Sequence, residues 1–477
     1  MAQQRTTCAI VGGGPAGIVL GLVLARAGVE VTVLEKHGDF LRDFRGDTVH
    51  VSTMTLIDEL GLWDRFAELP WKPIEQARVV LDAGPATVAD LSRLPVRHPF
   101  IAMVPQWHLL DMLAAAAEEE PTFTLLRHAD VIDLRRRGGR VTGVRWRDRT
   151  QDAGETEHDL AADLVVACDG RSSRVRDLTG LPLRDYPVPM DVWWFRLPRG
   201  EGDDPAGGLG RVTEGRFVIM LDRGDYYQVA YLIPRGADAE HRRQPIQTLR
   251  DDLRELHPWL GDRVDGVASW DDVKLLRVTL DRLRRWSAPG VLCLGDAAHA
   301  MSPVGGVGIN LAVQDAVAAA RLLAPVLAAA PADPAAVDRA ASRVQRRRWW
   351  PTWATQTGQR IAHRGVIAAV LGEGEQAPGR ERLPLPLRLL QRVPALQVVP
   401  AYLVGVGVLP EHAPSCAVSP KSCPPASAKT FRSNGPSDSV IAGSTPKRRS
   451  YQGWLVARSV TESATWEMEG SSGTAPT

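Results

Sequence analysis

The stretch "CAIVGGGPAGIVLGLVLARAGVEVTVLEK", residues 8–36, decides the fold. "CAIVG" predicts a short buried strand, "PAGIVLGLVLARAG" a helix and "VEVTVLEK" a second strand, so the stretch predicts a β-α-β unit. The glycines before the helix follow the pattern Gly12-x-Gly14-x-x-Gly17. This spacing gives a tight turn, room for backbone to approach a pyrophosphate, and close helix–strand packing. Glu35 ends the second strand, where an acid binds a ribose hydroxyl, so the stretch predicts a dinucleotide-binding unit.

Two later junctions between a strand and a helix also carry an acid and glycines. "DLVVACDGRSSRVR", residues 163–176, delivers Asp169, although this segment alone is equally consistent with an exposed turn. "GDAAHAMSPVGGVGIN", residues 295–310, delivers Asp296 and then three glycines before a helix. Unpaired N–H groups at a helix start stabilise negative charge, and glycine lets backbone touch a ligand.

The composition restricts the class of protein. The 477 residues carry 57 Lys and Arg against 56 Asp and Glu, a balance that argues against nucleic acid as a partner. Cys8, Cys168 and Cys293 lie in apolar runs and are predicted to be buried small residues, which favours a reduced, cytoplasmic protein. No signal peptide is expected, because "MAQQRTT" leads directly into a strand. Prolines interrupt the apolar segment 393–410, so no transmembrane helix is predicted, while a peripheral membrane contact and the oligomeric state stay open.

The three motifs, in this order and at these separations, resemble the FAD-dependent aromatic hydroxylases, the p-hydroxybenzoate hydroxylase-type (class A) flavoprotein monooxygenases. The resemblance covers residues 5–412, and "RGD" at 45–47 and "PQW" at 105–107 also match family patterns. It implies FAD as cofactor, NADH or NADPH as co-substrate, and O2. A C4a-hydroperoxide of the flavin would then hydroxylate or epoxidise an apolar, aromatic or polyketide-like small molecule.

The resemblance implies an α/β (α+β) fold in which a Rossmann-like FAD-binding domain carries an inserted, mostly antiparallel β-sheet substrate domain and a C-terminal helical segment. We expect residues 1–72, 98–182 and 275–345 to form the FAD-binding domain, and 73–97 and 183–274 to form the substrate domain. Residues 346–412 are expected to be helical. Residues 413–477 are rich in Ser, Pro and Lys and are expected to be a disordered tail.

Carried over residue by residue, the resemblance assigns the cofactor site. Glu35 would bind the adenosine ribose, the backbone of Val131 the adenine, and Asp296 the ribityl chain, while Asp169 belongs to a motif linked to FAD and the nicotinamide donor. The residues implied to bind FAD are Gly12, Gly14, Pro15, Ala16, Gly17, Glu35, Lys36, Arg45, Gln106, Val131, Asp169, Gly170, Gly295, Asp296, Gly308, Ile309 and Asn310. The loop implied to face the flavin ring comprises Pro303, Gly305, Gly306, Gly308 and Asn310. No side chain is assigned as catalytic, and His299 is expected to order its loop rather than act as a base.

The substrate is expected between the second sheet and the flavin. The wall candidates are the aromatic residues Trp193, Phe217, Tyr227 and Tyr231, for which packing in a core is the competing interpretation. So many aromatic residues suggest a planar, apolar and polycyclic substrate.

Other flavoprotein classes are weighed against this hypothesis. The chain has one GxGxxG unit and no redox CxxC, which argues against a pyridine-nucleotide disulfide reductase. A flavin-dependent halogenase is suggested only by the segment Trp193-x-Phe195-x-Leu197-Pro198, which partly resembles the W-x-W-x-I-P signature of that family but lacks its second tryptophan. Lys72 is the candidate for the active-site lysine that a halogenase requires. A prenyl-reductase-type flavoprotein oxidoreductase and a non-enzymatic flavin-binding regulator also stay open.

Overall fold

The structure, a computed structural model, describes residues 4–41, 47–150, 156–200, 203, 208–213, 215–372, 385–414 and 417. Its strands are, in chain order, β1 (Gln4–Val11), β2 (Val31–Leu34), β3 (Thr48–Val49), β4 (Lys72–Ile74), β5 (Gln76–Leu81), β6 (Gly84–Asp90), β7 (Ile101–Met103), β8 (Phe123–Leu126), β9 (Ala129–Arg137), β10 (Arg140–Asp148), β11 (Glu157–Ala167), β12 (Leu183–Asp185), β13 (Met190–Pro198), β14 (Gly208–Thr213), β15 (Arg216–Asp222), β16 (Tyr226–Pro234), β17 (Lys274–Leu276), β18 (Asp281–Leu283), β19 (Ser287–Ala288) and β20 (Val291–Cys293). Its α-helices are α1 (Pro15–Arg26), α2 (Val51–Glu59), α3 (Trp63–Ala67), α4 (Gln106–Glu118), α5 (Arg174–Thr179), α6 (Asp238–His241), α7 (Ile246–Leu256), α8 (Gly308–Leu327), α9 (Pro334–Ala362), α10 (Ala368–Val370), α11 (Leu385–Arg392) and α12 (Val398–Gly405).

A parallel sheet in the order β8-β2-β1-β11-β20 forms the first layer, with β19 and the β9–β10 hairpin attached antiparallel. The central strands are almost entirely buried because helices pack against the sheet, which is the burial expected of parallel strands. The strand order is that of a Rossmann-like half, in which ligands bind at the carboxyl ends of the strands. The three motif loops follow β1, β11 and β20, so all three lie at that edge.

A second sheet in the order β17-β13-β16-β15-β14-β5-β6 is antiparallel except for the β14–β5 pair. Its strands alternate strictly between two faces. On β16, the side chains of Tyr227, Val229 and Tyr231 pack in a core with α7, whereas Gln228 and Ala230 face the opposite side. The predicted α/β (α+β) class with a mostly antiparallel second sheet is therefore confirmed.

The helices show where local signals were sufficient and where they were not. α1 begins at Pro15, a residue suited to the first helical turn, and it is buried on nearly all sides between the sheet and α8. By residue type Ser52 is a plausible N-cap for this helix, but α2 begins at Val51 after His50, and no described side chain caps it. The Ser52 hydroxyl instead donates to Oδ1 of Asn310, at 2.8 Å.

Cys8, Cys168 and Cys293 are free and buried, as predicted. Among the described residues, one stretch, Val304–Leu327, is long and apolar enough to span a membrane, but 78% of its most apolar window is buried inside the protein, as in a core helix. The described residues between positions 4 and 417 form one compact unit. The predicted tail, 413–477, lies almost wholly outside the described residues.

Candidate functional site

A cavity of about 1100 Å³ lies where the carboxyl ends of the parallel strands meet the second sheet. Thirteen of the residues implied to bind FAD line it: Gly12, Gly14, Pro15, Ala16, Glu35, Lys36, Gln106, Val131, Asp169, Gly170, Asp296, Gly308 and Ile309. Gly17, Gly295 and Asn310 do not line the cavity, and Arg45 lies outside the described residues. The sequence motifs therefore converge on one space, and their cofactor roles stay a prediction.

The first glycine loop leaves no room for side chains at two of its three positions. Gly12 has φ +102°, and a Cβ there would lie 2.5 Å from the carbonyl oxygen of Cys168. A Cβ on Gly17 would overlap the carbonyl oxygen of Gly12, so this glycine lets α1 approach the loop. A Cβ on Gly14 would meet nothing within 4 Å. The loop thus presents open backbone and the start of α1, which has no side-chain cap, to the cavity.

Glu35 is buried and tied to the same loop. Its Oε2 accepts a hydrogen bond from the Gly13 N–H at 2.8 Å, and its Oε1 accepts one from the His37 N–H at 3.1 Å. Each carboxylate oxygen can accept two hydrogen bonds, so the backbone fixes the orientation of Glu35 while the carboxylate can still accept from a sugar hydroxyl.

The Asp169 carboxylate is turned toward its own loop. Its Oδ1 accepts from the Ser173 hydroxyl at 2.5 Å, and its Oδ2 accepts from the Val175 N–H at 3.2 Å. Burial raises the pKa of Asp169, although the hydrogen bonds from Ser173 and Val175 oppose this shift. The carboxylate therefore stabilises the start of α5. The neighbouring Arg171 also lines the cavity, and its Nε lies 3.4 Å from Oδ2 of Asp296.

The third loop is built for backbone contact. Gly305 and Gly306 have φ of +80° and +64°, and a Cβ on Gly306 would lie 2.8 Å from Oγ1 of Thr48. Pro303, both glycines and Gly308 line the cavity, and α8 starts at Gly308 without a side-chain cap. The N–H groups at this helix start therefore favour negative charge in the adjoining part of the cavity.

Asn310 supports this loop from behind. Its Oδ1 accepts hydrogen bonds from the Ser52 hydroxyl at 2.8 Å and from the Thr53 hydroxyl at 2.7 Å, and the side chain is buried. The implied contact with FAD would thus involve its backbone, because its side-chain oxygen is held by α2.

A buried ionic network, absent from the sequence interpretation, holds the third loop in place. Nε2 of His299 donates to Oδ2 of Asp315 at 2.5 Å, and Nε of Arg348 donates to Oδ1 at 2.9 Å. Arg348 also donates to the Leu409 carbonyl and lies 3.6 Å from Glu411. Burial alone would raise the pKa of Asp315, but His299 and Arg348 bring it below its ordinary value. His299 is therefore an ordering residue of the loop, as expected, and it does not line the cavity.

The second sheet corrects the predicted substrate wall. Phe217 lines the cavity, but Trp193, Tyr227 and Tyr231 lie on the other face, because they occupy the alternate positions of β13 and β16. Trp193 donates to Asp238 at 2.7 Å and Tyr227 to Asp203 at 3.1 Å. Burial, followed by the bond to Asp203, raises the pKa of Tyr227 to about 12, so this phenol is unsuited to act as a base.

The cavity face of the second sheet is apolar apart from a few groups. Its apolar members are Met190, Val192, Trp194, Phe217, Ile219, Leu221, Ala230, Leu232 and Leu276. Gln228 lies among them and is 2% exposed, and neither of its amide atoms has a hydrogen-bond partner among the described residues.

His50 lines the cavity beside the third loop. Its Nδ1 donates to the Val404 carbonyl at 2.8 Å, which leaves Nε2 to carry the lone pair in the neutral ring. Burial lowers the pKa of His50 and favours this neutral form.

Lys72, the halogenase candidate lysine, lies on β4, where its Nζ donates to Oδ1 of Asp222 at 3.1 Å. Its ammonium group thus serves an ion pair between β4 and the second sheet. This contact gives no support to the halogenase hypothesis.

Comparison with known proteins adds four findings. A family model described as an FAD binding domain matches residues 5–349. The 6-methylpretetramide 4-monooxygenase of Streptomyces rimosus is 33% identical over 320 residues, which cover 66% of this chain and 74% of that protein. The rifampicin monooxygenase of Streptomyces venezuelae is 29% identical over 317 residues, and the match spans 64% of this chain and 61% of the relative's length.

A solved structure with a similar fold is the anhydrotetracycline hydroxylase of Streptomyces rimosus. It has a TM-score of 0.61 and 23% identity, and the match covers 84% of this chain and 76% of that chain.

Proposed function

The chain belongs to the family of FAD-dependent aromatic hydroxylases, flavoprotein monooxygenases that take electrons from NAD(P)H, and we propose that this member oxygenates a polycyclic, polyketide-like aromatic compound. The substrate would lie against the cavity face of the second sheet. The nicotinamide donor would bind transiently, since the chain has one dinucleotide-binding unit.

The residues at the strand ends fit FAD. The open backbone at Gly14 and the uncapped start of α1 suit a pyrophosphate, Glu35 suits the adenosine ribose, and Asp296 suits a ribityl hydroxyl. The bare loop from Gly305 to Gly308 suits the edge of the isoalloxazine ring. When bound, FAD supplies the redox and oxygen chemistry. The protein binds and orients FAD and the substrate and keeps water away from them.

The observation that carries the proposal is the cavity itself. The cavity has a volume of about 1100 Å³ and borders a broad apolar face on three neighbouring strands, β13, β16 and β15. A flat, apolar ring system matches such a face in shape and polarity. The two relatives support this proposal, because they are named as monooxygenases of 6-methylpretetramide and of rifampicin.

The buried free thiols of Cys8, Cys168 and Cys293 also fit a reducing compartment, and on this ground we propose a cytoplasmic location.

The test is the rate of NAD(P)H oxidation by purified holoenzyme with a panel of aromatic compounds. We expect hydroxylated anthraquinones and tetracyclic phenols to raise the rate, and p-hydroxybenzoate, a single ring, to leave it at the basal level. Hydrogen peroxide measured in parallel separates product formation from uncoupled oxidation. Stimulation by the single-ring compound alone would contradict the proposal.

A further inference from the structure

Gln228 is a buried polar residue whose side-chain amide makes no hydrogen bond to any described residue. It sits on β16 between Arg196 of β13 and Leu221 of β15, and its backbone takes part in the sheet. Its side chain is 2% exposed and lines the cavity, yet both amide atoms lack a hydrogen-bond partner among the described residues. A buried amide without partners destabilises a fold, so a purely structural role would be better served by an apolar residue.

The surroundings of Gln228 point to a ligand. Ala230 and Leu232 follow it on the same face of β16, and the diagonal neighbour on β13 is Trp194. Trp194 Nε1 also lacks a partner among the described residues, but an indole offers only a donor. The other side chains of β13, β15 and β16 that line the cavity are aliphatic or aromatic, so on these strands the Gln228 amide alone offers the cavity a donor and an acceptor side by side.

We propose that the Gln228 amide recognises a ligand edge on which a hydrogen-bond donor and acceptor stand side by side, as in a primary carboxamide or a ring lactam. Gln228 would thus select among aromatic compounds by their polar edge, while the apolar face binds their rings. This inference rests on the proposed function, because it assumes an aromatic substrate on this face.

The test measures binding to oxidised holoenzyme without NAD(P)H, from the perturbation of the flavin absorbance. The probes share a two-ring frame: 2-acetylnaphthalene has an acceptor only, 2-naphthamide is a carboxamide, and quinolin-2(1H)-one is a ring lactam with its N–H beside its carbonyl. For wild type we expect at least one of the latter two to bind about 10-fold more tightly than 2-acetylnaphthalene, the effect of one or two net hydrogen bonds. The preferred probe shows which source of the donor–acceptor edge is used.

Gln228→Leu should abolish this preference, so that the three probes bind with similar affinity. Leu232→Val, on the same face without a polar group, is the matched control and should retain the preference. The urea midpoint of Gln228→Leu should equal or exceed that of wild type, since an unpaired buried amide is removed.

A preference that survives in Gln228→Leu, or a lowered urea midpoint in that variant, would overturn the inference and leave the proposed function intact. Equal binding of all probes by wild type would overturn it in the same way. If none of the probes binds to wild type, both the inference and the proposed aromatic substrate fail.

Discussion

Replacing Arg348 by Met should destabilise the protein strongly, because it breaks the buried network behind the third loop. Arg348 is 1% exposed, and its Nε lies 2.9 Å from Asp315, which is itself fully buried. Removing one partner of a buried ion pair costs about 3–5 kcal/mol. Asp315 would keep His299, and Glu411 would keep Arg321 and Arg347, so we expect the lower end of this range, about 3 kcal/mol.

The assay is equilibrium urea unfolding, monitored by far-ultraviolet circular dichroism and by tryptophan fluorescence. With an m-value of about 3 kcal/mol/M, expected for a large chain, the midpoint should fall by about 1 M. The control is Arg346→Met on the same helix, where the side chain is exposed and the change should stay within about 0.5 kcal/mol. The double variant Asp315→Asn/Arg348→Met should lose less than the sum of the single changes, because the uncompensated charge is gone. A midpoint for Arg348→Met equal to that of Arg346→Met would show that the buried ion pair between Arg348 and Asp315 does not stabilise the fold.

Three further predictions concern the first motif loop, the third motif loop and one buried histidine, His257. Gly17→Ala should lower the flavin content of purified protein, because its Cβ would overlap the Gly12 carbonyl. Gly358 is exposed in α9, and a Cβ there would meet nothing within 4 Å, so Gly358→Ala should raise the free energy of unfolding by about 0.5–1 kcal/mol. Asp296→Ala should raise the dissociation constant of FAD about 10-fold or more, because the cofactor loses a charged acceptor. The protein should therefore retain less flavin, which is measured as the flavin-to-protein absorbance ratio after gel filtration. Burial lowers the pKa of His257 to about 4 from an ordinary value of 6.5, so the folded state binds this proton less readily than the unfolded state. Stability should therefore be full above pH 6.5 and fall toward pH 4, by about 3 kcal/mol from this residue, and His257→Gln should flatten the profile of urea midpoint against pH.

Each of these has a clear contrary result. Wild-type flavin content in Gly17→Ala would show that the loop tolerates a side chain. Full flavin occupancy in Asp296→Ala would remove this residue from the proposed cofactor site. Parallel pH profiles for wild type and His257→Gln would show that this imidazole does not control acid stability.

The fold was predictable because its signals are local. The turn, the helix start and the packing contact of the first loop are all encoded within Gly12–Gly17, and β-α-β order follows from short apolar runs. The three motif loops meet at one edge because they follow parallel strands of one sheet, so most of the residues that line the cavity at that edge could be named from the sequence.

The cavity side of the second sheet was not predictable in the same way. Trp193, Tyr227 and Tyr231 differ from cavity-lining residues such as Trp194 only by one position along a strand, and a one-residue shift reverses the face. In β16 both faces carry mostly apolar residues, so the alternation of polarity that would identify the cavity side is weak. The one strong sign was Gln228, a polar residue within an apolar strand.

The supporting contacts were also beyond the reach of local patterns. Asp315 meets Arg348 after 33 residues and Asn310 meets Ser52 across 258 residues. Such pairs depend on how helices cross in the folded chain, and no spacing rule encodes them.

Insertion of one oxygen atom from O2 into an aromatic substrate can be followed with isotopes. Mass spectrometry is applied to the product formed under 18O2 with FAD, NAD(P)H and the compound that most strongly stimulates turnover. We expect one 18O atom per product molecule from 18O2 and none from H2 18O. A product that forms without label from 18O2 would show that the protein is not a monooxygenase.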